Sequence, residues 1–228
     1  MRTVAVIARE GGLGKSTVAL HLALAAFLRG RRVWVADTDA QRSASQVLKG
    51  RKGPGPQLVE TTGPKLFALQ VSCQRAGAAL MVIDTPAVVE EEICHAIVAA
   101  DFRLMVIRPT FLDLIAAIQT VEIVRRLRKP VLAVLNQAPS PRAGVGAPAV
   151  KRSLEALGLM RMQVVPTILR ARTGYQSAFE TGRSVEEFDP PTEAGREVGD
   201  LWAFVETFVF GRTKSDVAQN LQNVGVEP

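Results

Sequence analysis

Short apolar runs alternate along this chain with longer stretches of helical periodicity. The runs Val4–Ala8, Val33–Ala36, Leu80–Ile83, Leu104–Ile107, Val131–Leu135 and Gln163–Val165 are rich in Val, Ile and Leu, without clean polar alternation. Strands of that kind are covered on both faces, as in a parallel sheet. Between them the spacing predicts helices over Ser16–Leu28, Leu66–Arg75, Glu90–Ala99, Leu112–Arg128, Val150–Leu157, Tyr175–Glu180 and Glu193–Phe210. Alternating strands and helices make βαβ units, so the expected class is α/β: a mainly parallel, twisted sheet with helices on both faces. The Gly- and Pro-rich stretches Gly50–Pro64 and Ala138–Pro148 read as surface loops. One domain over residues 1–210 with a short tail over 211–228 is the simplest organisation, and no internal repeat breaks it.

Composition narrows the class. A chain of 228 residues with 47% hydrophobic residues supports one packed core, burying about 70% of its unfolded surface. Cys73 and Cys94 are too few for a disulfide framework and fit a reducing cytosol. The apolar run after Arg2 stops within five residues and opens onto glycines, which reads as a buried strand rather than a leader. No uncharged apolar stretch reaches the ~18 residues of a membrane span. The formal charge of +6 is a modest pointer to an acidic partner.

The strongest chemical signal is Gly11-Gly12-Leu13-Gly14-Lys15-Ser16-Thr17, set between a strand and a helix. Glycines let backbone N–H groups turn toward a polyphosphate, and the helix N-terminus adds partial positive charge. In such a loop Lys15 reaches the β- and γ-phosphates, the Ser16 hydroxyl binds Mg²⁺ and Thr17 donates to the α-phosphate. A plain P-loop would carry glycine at position 9, where this chain has Arg9. Asp84 ends an apolar strand, where a carboxylate is costly to bury unless a cation meets it. In an α/β sheet such strand ends gather around the ligand. A helix-capping role for Asp84, a solvated turn at Asp37-Thr38-Asp39 and a turn-forming Asn136 are the bland alternatives. His21 and His95 lack metal-ligand spacing and read as packing or surface residues, and Met160 and Met162 as core filler.

From Gly11 onward the loop resembles the deviant phosphate loop of the ParA/MinD family of cargo-positioning ATPases. Asp37-Thr38-Asp39-Ala40-Gln41 and Val82-Ile83-Asp84-Thr85-Pro86 are similar to that family's two carboxylate segments. Arg108-Pro109-Thr110 with Leu112-Asp113-Leu114, then Asn136, then Arg172 followed by Gly182, resemble features of its small ParA-type members. The resemblance implies a nucleotide site of Gly11 to Thr17 with Asn136 at the base edge. It implies Mg²⁺ held by Ser16 and Asp84 with Asp37 in support, and hydrolysis of ATP in which Lys15 acts on the phosphates and Asp39 orients water. It further implies a homodimer, a cargo adaptor or stimulating protein, and nonspecific DNA binding by basic residues such as Arg170 and Arg172, among Lys151, Arg152, Arg161 and Arg183. That places the protein in the cytoplasm, on the nucleoid. The tail has little apolar periodicity, so no membrane anchoring is expected.

One position departs from the pattern. The family's lysine before the double glycine crosses the dimer interface to the partner's nucleotide, and here it is Glu10. An anion beside phosphates reverses the local electrostatics, so the expectation is ATP binding with weak dimerisation and slow turnover, unless Arg9 takes the role. Leu13 and Ala40 also differ from the family's usual residues. A non-catalytic nucleotide sensor regulating a partner is the alternative that Glu10 raises.

Overall fold

The computed structural model describes residues 1–87, 89–141 and 147–211. The tail beyond Gly211 and the middle of the Ala138–Pro148 loop lie outside the described residues. Seven strands form one parallel sheet: β1 (Arg2–Ile7), β2 (Val33–Asp37), β3 (Gln57–Glu60), β4 (Leu80–Asp84), β5 (Phe102–Ile107), β6 (Leu132–Leu135) and β7 (Gln163–Val164). Their order is β3-β2-β4-β1-β5-β6-β7. From β1 the chain builds one half of the sheet through β2 to β4 and then the other through β5 to β7. Such a reversal opens a crevice at the carboxyl ends of the strands.

The helices are α1 (Lys15–Leu28), α2 (Ser43–Lys49), α3 (Leu66–Arg75), α4 (Glu90–Ala99), α5 (Phe111–Arg126), α6 (Pro148–Leu159), α7 (Gly174–Phe179), α8 (Val185–Phe188) and α9 (Glu193–Phe210). Successive strand side chains point to opposite faces, and the two cores follow that period. Val4, Val6, Val82 and Leu104 pack with α1, α2 and α7–α9, whereas Ala5, Ile7, Ile83 and Met105 pack with α3–α6. Helix α1 is apolar nearly all round because it lies between the sheet and α9.

Three elements depart from expectation. The stretch Gly50–Pro64 contains β3, an edge strand whose exposed, half-buried and flanking Gly and Pro residues hide its pattern. Helices α2 and α8 are too short to show a period; α8 is announced only by its Ser184–Glu187 capping box. The other strands and helices fall where the sequence puts them, with bounds shifted by a residue or two.

Candidate nucleotide-binding site

Beyond β1 the chain turns through two left-handed glycines, Gly12 at φ 75° and Gly14 at φ 86°, a region that favours glycine. Gly14 is doubly constrained, because a Cβ there would lie 2.4 Å from Nδ2 of Asn136. The Asn136 amide donates to the Leu13 carbonyl at 2.7 Å, and Gln137 donates to the Gly12 carbonyl at 3.1 Å. The carboxyl end of β6 thus braces the loop at the mouth of α1. Lys15 is buried, and its ammonium donates to the Glu10 carbonyl at 2.8 Å. Burial pulls the Lys15 ammonium below its ordinary range, against the charges of Asp84, Asp39 and Glu10.

The strand register sets Asp84 beside Val6 on one side and Asp37 on the other. Thr38 donates to the Asp84 carbonyl through both N–H and hydroxyl, at 3.0 and 2.8 Å, and the Thr85 hydroxyl donates to the Val6 carbonyl at 2.8 Å. These bonds stitch three strand ends under the loop. The Asp84 side chain is fully buried, and neither oxygen has a hydrogen-bond partner among the described residues. Burial pushes its carboxyl up to about 7, opposed by the Ser16 hydroxyl and Lys15 and reinforced by Asp37 and Asp39. An unpartnered buried carboxylate is a costly feature, and it fits a cation.

Asp37 is equally buried but differently engaged. Its Oδ2 accepts from the Ser45 N–H and hydroxyl at 2.9 and 2.6 Å, and its Oδ1 accepts from the Asp39 N–H at 3.1 Å. Its carboxylate therefore anchors α2. Asp39 stands half-exposed on the cleft wall, its Oδ1 accepting from the Gln41 N–H at 2.9 Å. Arg42, at φ 54°, donates to the Asp37 carbonyl and reaches that of Thr61 at 3.3 Å, tying β2 to the segment after β3.

Together these elements enclose an open cleft of 490 Å³, floored by Gly11, Gly12 and Gly14–Thr17 and walled by Asp39, Gln41, Gln137, Gln176 and Phe179. Asn136, expected at a base edge, is buried with its amide on the loop, and Gln137 is the amide that lines the cleft. Gln137 carried a faint sequence signal as a second amide after the strand. Ser45, Gln176 and Phe179 carried none, since only tertiary packing brings them here. His21 packs as expected: its ring is stacked on Phe179 at 4.6 Å between centroids and meets Tyr175 edge-on at 5.1 Å. Gly182, at φ 67°, leaves no room for a side chain against the Arg51 backbone.

Arg170 and Arg172 fall together after β7, and both are occupied within the protein. Arg172 donates twice to Glu197 Oε1, at 3.0 and 2.8 Å, and the Arg170 guanidinium donates to the Pro139 carbonyl at 2.7 Å. Glu197 Oε2 also accepts from the Arg170 N–H and the Tyr175 hydroxyl. Arg9 pairs with Glu90 at 3.6 Å, whereas the Glu10 side chain is exposed and has no ion pair among the described residues.

Among the described residues no group of three or more His, Cys, Asp or Glu could hold a metal ion. Magnesium commonly takes one or two protein ligands and completes its shell with waters and phosphate oxygens. Ser16 and the orphaned Asp84 fit that mode.

Residues 4–185 match the CobQ/CobB/MinD/ParA nucleotide binding domain. The maintenance of carboxysome distribution protein A of Gloeobacter kilaueensis is 32% identical over 186 residues, covering 81% of this chain and 83% of that protein. The septum site-determining protein MinD from Pyrococcus horikoshii, solved with Mg-ADP, shares the fold at TM-score 0.71 and 16% identity over 93% of this chain and 99% of its own. An ATP complex of a Cyanothece McdA variant superposes at TM-score 0.71 and 16% identity, over 93% of this chain and 98% of its own. With the loop, the strand-end carboxylates and the parallel sheet in place, the chain belongs to the CobQ/CobB/MinD/ParA nucleotide-binding domain family.

Proposed function

We propose that this protein is a Mg-ATP-dependent positioning ATPase that distributes a cargo, through ATP-dependent dimerisation and sequence-independent DNA binding, in the cytoplasm and on the nucleoid. The observation that carries the reading is Asp84, a buried carboxylate without a partner at the floor of a glycine loop. In this reading the loop N–H groups from Gly11 to Thr17 cradle the phosphates. Lys15 moves from the Glu10 carbonyl to the β- and γ-phosphates. Ser16 and Asp84 would hold Mg²⁺, which would supply charge neutralisation for phosphoryl transfer. Asp39 orients the attacking water from the cleft wall, and Asp37 keeps the β2 end and α2 in place beneath it. Asn136 sets the loop's height, leaving Gln137 to face the nucleotide.

The carboxysome-distribution relative supports cargo positioning, and in this reading an adaptor protein reads the cargo and stimulates turnover. Helix α5 opens with Phe111, Leu112, Ile115 and Ile118 exposed, while Asp113, Ala117 and Thr120 on its other face pack toward Arg9 and Glu10. No helix among the described residues is long and apolar enough to cross a membrane. Steady-state ATP hydrolysis with and without duplex DNA tests the proposal. Slow turnover that DNA accelerates is expected, and a protein that neither turns over ATP nor changes state with it would refute the ATPase reading.

A further inference from the structure

The helices of this fold run antiparallel to the strands, so their C-termini converge at the amino edge of the sheet, opposite the nucleotide cleft. Cations collect there. Arg32 precedes β2, with its carbonyl bonded to the N–H groups of Ala79 and Leu80. Arg75 ends α3, Arg128 and Lys129 lead into β6, and Arg161 leads into β7. The last three form one cluster, because β6 and β7 are neighbours and Arg125 donates to the Met160 carbonyl beside Arg161 at 2.7 Å.

Three acids near this edge are engaged by other cations: Asp101 by Arg2, Glu186 by Arg29 and Glu206 by Arg31. None of Arg32, Arg75, Arg128, Lys129 and Arg161 has a carboxylate within 4.0 Å among the described residues. Helix C-termini attract cations through their dipoles. Arg128 and Arg161, each one residue past the C-cap of its helix, and Lys129 beside them lie within reach of that attraction, which holds cations at these helix ends without supplying them an anionic partner. Unneutralised cations drawn up along a rigid edge are a surface for a polyanion.

We infer that the amino edge of the sheet, centred on Arg128, Lys129 and Arg161 and extended by Arg32 and Arg75, is the DNA-contacting surface of this protein. The inference rests on the DNA-binding reading above and assigns its location away from Arg170 and Arg172. From β2 to β7 the edge crosses five strand spacings, about 24 Å. That length follows roughly seven base pairs of duplex at 3.4 Å each. Arginine's planar fork suits phosphate, and contacts of this kind read no sequence. A lipid surface fits less well: at this edge the exposed apolar side chains Leu28, Val98 and Leu159 stand on three separate helices.

The test is duplex DNA binding by the full chain with Mg-ATP, followed from about 50 to 200 mM salt. Four to five phosphate contacts predict a log–log slope of about −4. The triple variant Arg128→Asn, Lys129→Gln, Arg161→Asn uses asparagine where the backbone is left-handed, at φ 51° and 52°. It should flatten the slope by about 3 and weaken low-salt binding at least tenfold, while Mg-ATP calorimetry stays unchanged. Arg172→Ala should leave the slope within about one of the wild type. If Arg172→Ala abolishes binding and the triple variant binds normally, the location is wrong and the DNA reading stands. If the wild type fails to bind DNA at low salt, both fall. If the triple variant loses binding to vesicles of anionic phospholipid but not to DNA, the edge serves a membrane and the inference is overturned.

Discussion

Replacing Asp84 by Asn should make the empty protein more stable and the nucleotide-binding protein inoperative. Asp84 is fully buried, and both of its oxygens lack partners among the described residues. Its carboxyl is held near 7 rather than at the ordinary aspartate value near 4, so at pH 8 the folded state works against roughly 4 kcal/mol to keep it ionised. Its folded pKa lies above its unfolded one. The penalty is therefore absent below pH 4, grows as the pH rises toward 7 and is complete above it. Asparagine has the same shape and no charge, although its amide stays unsatisfied at about 1–3 kcal/mol. The expected net is a gain of about 1–3 kcal/mol at pH 8, shrinking to nothing or reversing near pH 4. Urea unfolding without nucleotide reads the first half, and Mg-ATP calorimetry the second, where affinity should drop by at least two orders of magnitude. A variant less stable than the wild type at pH 8, or one that still binds Mg-ATP normally, would refute the view that the fold stores an unpaired charge for the cation.

Glu10→Lys should strengthen ATP-dependent dimerisation by light scattering and raise DNA-stimulated turnover, since exchanging repulsion for attraction about 4 Å from a phosphate shifts several kcal/mol at an effective dielectric near 20; a wild type that already forms a tight ATP dimer, indifferent to the change, would show that Glu10 is tolerated there. Gly14→Ala should cost roughly 2–4 kcal/mol in urea unfolding, from left-handed strain plus displacement of the Asn136–Leu13 bond, and a neutral result would mean the loop relaxes freely. Burial holds the His21 ring far below its ordinary value, at about 3. Its stabilising contribution is complete above pH 6.5 and falls with pH by about 1.4 kcal/mol per unit. His21→Leu should remove that part of the acid sensitivity, so identical stability–pH curves for the two proteins would contradict a neutral buried imidazole.

The sheet was readable because strands covered on both faces must be continuous apolar runs, and most of those in this chain are. The positions of the glycine loop and Asp84 were readable because glycines after one apolar run and a carboxylate closing another stand out as strand ends. Edge strand β3 was hidden by its half-exposed residues and by Gly53, Pro54, Gly55 and Pro56. Asn136 was placed correctly along the chain, but its bond to Leu13 depends on β6 ending 123 residues later in sequence and directly beside the loop. Arg172 was visible as a cation, whereas the glutamate that engages it comes from α9, 25 residues further on. Local sequence carries no trace of such pairings, and none of Phe179 reaching the cleft from α7.

Calorimetric titration of Mg-ATP into the wild type and into Lys15→Ala, with and without a chelator, tests the central claim most directly. Lys15 is the buried cation at the mouth of α1, so wild-type binding should need magnesium and vanish in Lys15→Ala. Equal affinity in the two proteins, or binding indifferent to magnesium, would contradict it.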